Sequence, residues 1–326
     1  MNLPAIAPLF AKRTPGDPPS VALGTMNFGK RVDVKAAQRI IDRAFERGVR
    51  LLDTANVYEN GASERIVGEA MKARPGAFRV ATKVGLGRHQ GRSEGLSPEV
   101  VVLACDESRR RLGVETIDVY YLHAPDPATP IEQTLSAVLG LVAKGHIGAF
   151  GLSNYASWQV LEVLHLTERA ASPRPVVAQQ LYNLVVRQLD VEYAGFAARY
   201  ALHTTTYNAL AGGLLARELD IATVPKGSRF EHNAMYRRRY WSPPLFAARA
   251  RYAALAHESG LSLIDLAYRF LRSRELVDSV LVGPASVEQL DVALDALSAP
   301  PLSADLLARI DAAALELAGT DARYAR

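Results

Sequence analysis

Short runs rich in β-branched and aromatic residues alternate with longer amphipathic runs along the chain, an order that predicts parallel strands joined by helical crossovers. The strand candidates fall at 21–28, 49–55, 78–84, 117–123, 147–153, 176–182, 203–209 and 279–283. Between them apolar residues recur near the helical period. In DVKAAQRIIDRAFERG, Ala37, Ile40, Ile41, Ala44 and Phe45 share a face and Gly48 can end the helix. Ser97, Pro98 and Glu99 open another helix with a capping residue, a first-turn proline and an early acid, and Pro130 and Ser286 open others similarly. Eight strand–helix pairs are the count of a (β/α)8 TIM barrel. Two segments stand outside the repeat: a long loop after strand seven at 212–245, and an extra C-terminal helix with a tail at 301–326. No composition shift divides the chain, so one barrel domain over 1–326 is expected.

Composition supports a globular enzyme rather than changing that picture. With 326 residues, 49% hydrophobic and 22% charged, the chain can bury a large core without disulfides or metals. The single cysteine, Cys105, excludes an intramolecular disulfide framework and lies in a helix-like run, so a buried structural thiol and a reducing, cytoplasmic compartment are expected. A net charge of +4 suits an anionic cofactor or substrate. No basic helix or aromatic-basic stripe supports nucleic acid. The first apolar run precedes the basic residues instead of following them, unlike a secretory leader, and no run approaches the ~20 apolar residues of a membrane span. His89, His146, His165, His203, His232 and His257 show no metal-ligand spacing, so no metal is expected. GLGRHQG at 85–91 has the spacing GxGxxxG and precedes a polar stretch, so it reads as a loop rather than a dinucleotide fingerprint.

The candidate chemistry sits at strand ends, where a barrel keeps its active site. Asp53, Lys83 and His123 close strands two, three and four, and Tyr58 lies five residues beyond Asp53. A buried acid and amine on neighbouring strands must pair to offset desolvation. One reading is a structural salt bridge beneath a core tyrosine and histidine. The other is a carbonyl reductase: the Lys83 ammonium lowers the Tyr58 phenol, Asp53 orients Lys83, and His123 donates a ring N–H to the substrate oxygen while Tyr58 supplies the proton.

At these residues the sequence resembles the aldo-keto reductases over nearly its whole length, through LGTMNFG, GVRLLDTANVYENGASERIVGEAM, ATKVG, IDVYYLHAPD, GAFGLSNY, QQLYNLVVRQ, YNALAGGLL and GPASVEQL. SRF, MYRRRYW and the terminal YAR make it most similar to the aflatoxin aldehyde and succinic semialdehyde reductase branch. The resemblance implies NADPH-dependent reduction of an aldehyde or ketone, with NADH less favoured. It implies that Ser153, Asn154 and Gln179 hold the nicotinamide carboxamide, that Tyr207 stacks on its ring, and that Asn208, Leu210, Gly212 and Gly213 pass the pyrophosphate. At the adenosine end Gln289 matches, whereas Ala285, Ser286 and Ala293 stand where the family commonly has a small polar residue, a basic residue and an asparagine, although Ser286 also matches the aflatoxin-type branch. Arg229 is then the candidate for the 2′-phosphate. Arg237 and the terminal Arg326 are implied for an anionic substrate group, with Trp241, Tyr240, Met26 and Tyr155 as either an apolar wall or packing. The expected partner is a small-molecule carbonyl compound, with homo-oligomerisation left open.

The same motifs occur in cofactor-sensing auxiliary subunits of potassium channels, which is the alternative outside enzymology. A reductase of keto sugars or polyketide carbonyls is a further alternative.

Overall fold

The computed structural model describes residues 6–89 and 92–318. Eight parallel strands close a barrel: β1 (Ser20–Gly24), β2 (Leu51–Asp53), β3 (Arg79–Val84), β4 (Ile117–Leu122), β5 (Ile147–Ser153), β6 (Val177–Leu181), β7 (His203–Tyr207) and β8 (Ser279–Val282). Each pairs with its sequence neighbours, and β8 pairs with β1 to close the ring. The register sets the interior layers, with Lys83 beside Tyr121, Tyr121 beside Gly151, and Gln179 beside Thr205, which in turn faces Ser279.

Six helices follow the first strands: α1 (Val34–Glu46), α2 (Ala62–Ala73), α3 (Pro98–Leu112), α4 (Ile131–Ala143), α5 (Ser157–Arg169) and α6 (Tyr193–Arg199). In α1 the expected face is inside, since Ala37, Ile40, Ile41 and Ala44 are buried, and Asp33 caps the helix. Gly48 follows with φ of 85°, a left-handed turn that glycine adopts without strain. Ser97 caps α3 by accepting from the Val100 N–H.

Between β7 and β8 the chain forms α7 (Ala234–Tyr240), α8 (Pro243–Glu258) and α9 (Leu263–Arg272); α10 (Val287–Ser298) and α11 (Ala304–Ala318) follow β8. The segment expected as one long loop therefore contains a helix. Asn233 caps α7 from its side chain, and Tyr236 and Tyr240, one turn apart, are both buried. The expected extra C-terminal helix is α11, which packs on α8. Within GLGRHQG, residues 85–87 form bends before Arg88–His89, which pairs antiparallel with Arg92–Ser93, and the Glu94 carboxylate accepts from the Gly85 and Gly87 N–H groups at 2.8 Å each. Those N–H groups thus serve a side chain of the protein rather than a phosphate.

The opposite end of the barrel is plugged by the N-terminal segment. Phe10 packs in a cluster with Ala81, Val119, Tyr121 and Val177, with Ile6 and Leu9 against it. Lys12 Nζ and the Arg13 N–H both reach the buried Asp278 carboxylate, at 2.6 and 2.8 Å. Cys105 is fully buried, and burial pushes its thiol up to about 12. It is a packing residue. Among the described residues no helix is long and apolar enough to cross a membrane and no cluster could hold a metal ion.

Candidate active site

The strand ends surround a cavity of about 910 Å³. Beneath it Lys83 Nζ donates to Asp53 Oδ1 and, at 2.7 Å, to the Thr54 carbonyl. Asp53 Oδ2 accepts from Gln179 Nε2 at 2.9 Å, so the carboxylate is held from two sides. Lys83 and Asp53 are almost wholly buried, a charged pair tolerated because both ions are hydrogen-bonded. Tyr58 and His123 meet edge to face with centroids 6.0 Å apart, and both line the cavity. The fold thus brings all four residues to one end of the barrel.

Thr54, Gly61, Ser63 and Glu64 in the block around Tyr58 each have a structural reason. Ser63 Oγ joins Thr25 Oγ1 and Thr54 Oγ1 at 2.7 and 2.9 Å, binding α2 to the ends of β1 and β2. The buried Glu64 accepts from Thr82 Oγ1 at 2.6 Å and from Arg111 Nε at 2.5 Å. Gly61 has φ of 81°, and a Cβ there would lie 2.6 Å from the Arg111 side chain.

Electrostatics depart from one expectation. Burial, then Asp53 and Tyr236, hold the Tyr58 phenol above its ordinary value, with Arg229 opposing, so Lys83 does not lower it. The physical reason is that the Lys83 charge is spent on Asp53 and the Thr54 carbonyl, and its Nζ lies 5.3 Å from the Tyr58 ring centroid. Burial also pulls Lys83 below its usual range, against the attraction of Asp53. His123 falls to about 3, by burial first and the Lys83 charge second, so its imidazole is neutral. Its Nδ1 is buried and has no hydrogen-bond partner among the described residues.

Ser153, Asn154, Gln179, Tyr207, Asn208, Leu210, Gly212, Gly213, Arg229 and Gln289 all line the cavity. Asn154 donates to the His123 carbonyl at 2.8 Å and accepts from the Tyr207 hydroxyl at 2.6 Å. The N–H groups of Gly212 and Gly213 are used internally, by Asn208 Oδ1 and the Leu210 carbonyl, so the glycines shape a turn rather than offer free donors. A Cβ on Gly212 would meet Tyr236 at 2.6 Å.

Three expectations need correction. Ser286 does not line the cavity; its hydroxyl accepts from the Gln289 N–H at 3.3 Å and caps α10. Trp241 is packing: it lies between Phe230, tilted, and Phe246, edge to face, with centroids at 4.8 and 4.9 Å, and its indole N–H donates to the Ile221 carbonyl at 2.8 Å. Arg237 is exposed and points away, whereas Arg239, on the face of α7 turned toward the site, lines the cavity. Arg326 lies outside the described residues. Tyr155 and Tyr240 are buried packing, and Met26 does line the cavity.

Arg31, Arg217 and Arg239 also line the cavity, although no sequence motif singles them out. Arg31 and Arg217 lie near Arg229, close enough that Arg229 and Arg217 both contribute, after burial, to lowering Arg31. Among the described residues none of these four arginines is paired with a carboxylate. Only the convergence of Arg31, Arg217 and Arg229 in space distinguishes them from other surface arginines.

A sequence model of the Aldo/keto reductase family matches residues 20–315. The chain belongs to that family. This aldo/keto reductase is 33% identical over 310 residues to aflatoxin B1 aldehyde reductase member 2 of Mus musculus, covering 90% of this chain and 84% of that protein. It is 29% identical over 283 residues to a probable voltage-gated potassium channel subunit beta of Arabidopsis thaliana, covering 85% and 86% of the two chains. Among solved structures, the glycerol dehydrogenase AKR11B4 from Gluconobacter oxydans matches with a TM-score of 0.76 and 27% identity, covering 98% of this chain and 99% of that one. Membership makes the protein an oxidoreductase with carbonyl reduction as its chemistry.

Proposed function

We propose that the protein reduces an aldehyde or ketone to an alcohol with NADPH, and that Tyr58 is the general acid. The observation that carries this reading is the meeting of Tyr58 and His123 above the Lys83–Asp53 pair on the cavity floor. Bound NADPH supplies the hydride. The neutral His123 offers one N–H to the carbonyl oxygen and orients it. The Tyr58 hydroxyl, protonated at neutral pH, gives its proton to the same oxygen as the alkoxide forms. The Lys83 ammonium then lies near the phenolate left behind, and Asp53 keeps Lys83 in place.

The site fits the cofactor at both ends. Gln179, Ser153 and Asn154 offer the mixed donors and acceptors that a carboxamide needs. Arg31, Arg217 and Arg229 gather guanidinium charge without a carboxylate partner, an arrangement that an anionic phosphate relieves. These three take the place of the basic residue missing at Ser286, which supports NADPH over NADH. The reducing chemistry and the buried thiol of Cys105 are consistent with a cytoplasmic setting.

Tyr58→Phe tests the assignment. It should lower kcat by about a thousandfold, within the range of a lost general acid, while the NADPH Kd measured by fluorescence titration stays nearly constant. A fully active variant sinks the proposal. A second reading, favoured by the relatives named as potassium channel subunits, is a cofactor-sensing auxiliary protein. Negligible turnover on a broad aldehyde panel together with co-purification of a membrane channel would establish it instead.

A further inference from the structure

The loop after β3 brings an apolar side chain to the cavity, and a carboxylate that the scheme above does not use holds it there. Leu86 lines the cavity although it is 49% exposed. Glu94 Oε2 accepts from the Gly85 and Gly87 N–H groups, one on either side of Leu86, at 2.8 Å each. These are bonds to a charged acceptor, stronger than those between neutral groups. The Glu94 N–H donates back to the Gly87 carbonyl at 3.0 Å. Gly85 has φ of 118°, a conformation that a side chain would strain, and a Cβ on it would come within 2.8 Å of the buried Leu96 side chain. Leu86 is therefore fixed between two peptide N–H groups that share one carboxylate oxygen, and its exposure is not the slack of a free surface loop.

The other oxygen of the same carboxylate ties this loop to the reacting end. Glu94 Oε1 accepts from Asn56 Nδ2 at 2.6 Å, and the Asn56 N–H donates to the Lys83 carbonyl at 3.2 Å. Asn56 stands two residues before Tyr58. Glu94 thus sets the place of Leu86 relative to the turn that presents Tyr58. Val57, which precedes Tyr58, and Ala124, which follows His123, line the cavity together with Leu86 and Met26. All four are apolar and none is aromatic. Glu59, the acid next to Tyr58, also lines the cavity, but its carboxylate faces Lys30 at 3.7 Å.

A carbonyl oxygen seated on Tyr58 and His123 therefore has aliphatic surface around it, and an alkyl chain laid on that surface leaves water on both sides of the contact. Resting on the function proposed above, we propose that Leu86 is a specificity-determining residue that receives an aliphatic arm of the substrate, and that Glu94 is the positioning residue that holds it against the Tyr58 turn. The substrate class is an aldehyde or ketone whose alkyl chain is long enough to leave the reacting groups and reach Leu86.

Steady-state kinetics with NADPH, read as the ratio of kcat/KM for hexanal to that for acetaldehyde, test both roles. Leu86→Ala should lower the ratio about tenfold, within the range for methylene-sized changes in an apolar pocket, and Leu86→Met, which keeps the apolar volume, should hold it near wild type. Glu94→Ala should lower the ratio as Leu86→Ala does. Glu94→Gln should restore it, because the amide oxygen can accept from the two glycine N–H groups while its NH2 donates to Asn56 Oδ1 once the Asn56 amide turns over. Gly87→Ala, whose Cβ would come 2.8 Å from Glu94 Oε2, should copy Glu94→Ala and decides the matter where that variant does not fold. A wild-type ratio in Leu86→Ala overturns the role of Leu86, and a wild-type ratio in Glu94→Ala, or a loss that Glu94→Gln does not restore, overturns that of Glu94; reduction of acetaldehyde leaves the proposed function standing in either case. A wild-type protein that reduces neither aldehyde overturns that function and this inference with it.

Discussion

An imidazole ordinarily titrates near 6.5, but His123 protonates in the folded barrel only at about 3, because burial and the Lys83 charge both oppose a cation there. Between those values the unfolded chain binds a proton that the folded chain refuses. The contribution of His123 to stability is therefore complete above about pH 6.5 and is lost progressively as pH falls toward 3. His123→Asn removes that proton linkage. Relative to wild type the variant should gain about 2 kcal/mol between pH 7.5 and pH 5, read from urea unfolding at the two pH values. An equal wild-type-to-variant difference at both would show that His123 titrates normally. The identities of the four central residues were legible in the sequence because each terminates, or closely follows, a strand-like run. Their charge balance was not: it depends on how deeply Lys83 is buried and how completely Asp53 and the Thr54 carbonyl occupy its ammonium.

Helix α7 shows what is lost when an element is read as a loop. A run of three arginines sends a guanidinium in three directions, and only the helical phase says which one enters the site. Tyr236 and Tyr240 bury one face of the helix, Arg237 and Arg239 flank it on opposite sides, and the side that carries Arg239 is the one turned to the cavity, while Arg237 and Arg238 are exposed. Burial pushes the Tyr207 phenol up to about 12, and the nearby Arg239 opposes that rise, which places its charge beside the nicotinamide end proposed for the site. A carboxylate-bearing aldehyde should therefore depend on Arg239 and not on Arg237. Arg239→Met should raise KM for such a substrate about tenfold, the scale of a lost charge-assisted hydrogen bond, while leaving a neutral aldehyde of similar size nearly unaffected. Arg237→Met should change neither. Steady-state kinetics on the matched pair of aldehydes measure this, and a larger effect at Arg237 would reverse the orientation argued for α7. Ser286 is the complementary case: its position at the start of α10 was legible, but a serine at a helix start satisfies the helix's own N–H groups first.

At the scale of the whole molecule the barrel was legible because alternation of strand and helix runs determines neighbours in a parallel sheet, and closure needs only the eighth strand to meet the first. Less legible was what closure brings together. The N-terminal plug reaches β8 through Lys12 and Asp278, and the arginines near Arg229 come from the loop after β1 and from the excursion after β7. Arg31 Nη2 also donates to the Gly227 carbonyl at 2.8 Å, tying those two loops across the cavity. If this cluster recognises the 2′-phosphate, the extra phosphate of NADPH should appear as extra stability of the folded state, since a ligand at a hundred times its Kd adds about 2.7 kcal/mol. Thermal unfolding at equal ligand concentrations should then show a larger rise in Tm with NADPH than with NADH. The double variant Arg31→Ala/Arg229→Ala should bring the two shifts together, each taken from its own ligand-free baseline because Arg229 also contacts Tyr236 and Asn27. Arg31 and Arg217 are solvent-exposed, so higher salt should narrow the wild-type gap in the same direction. Equal shifts for the two cofactors in the wild type, at low salt, would mean that the arginines serve another anion and that the preference for NADPH is misplaced.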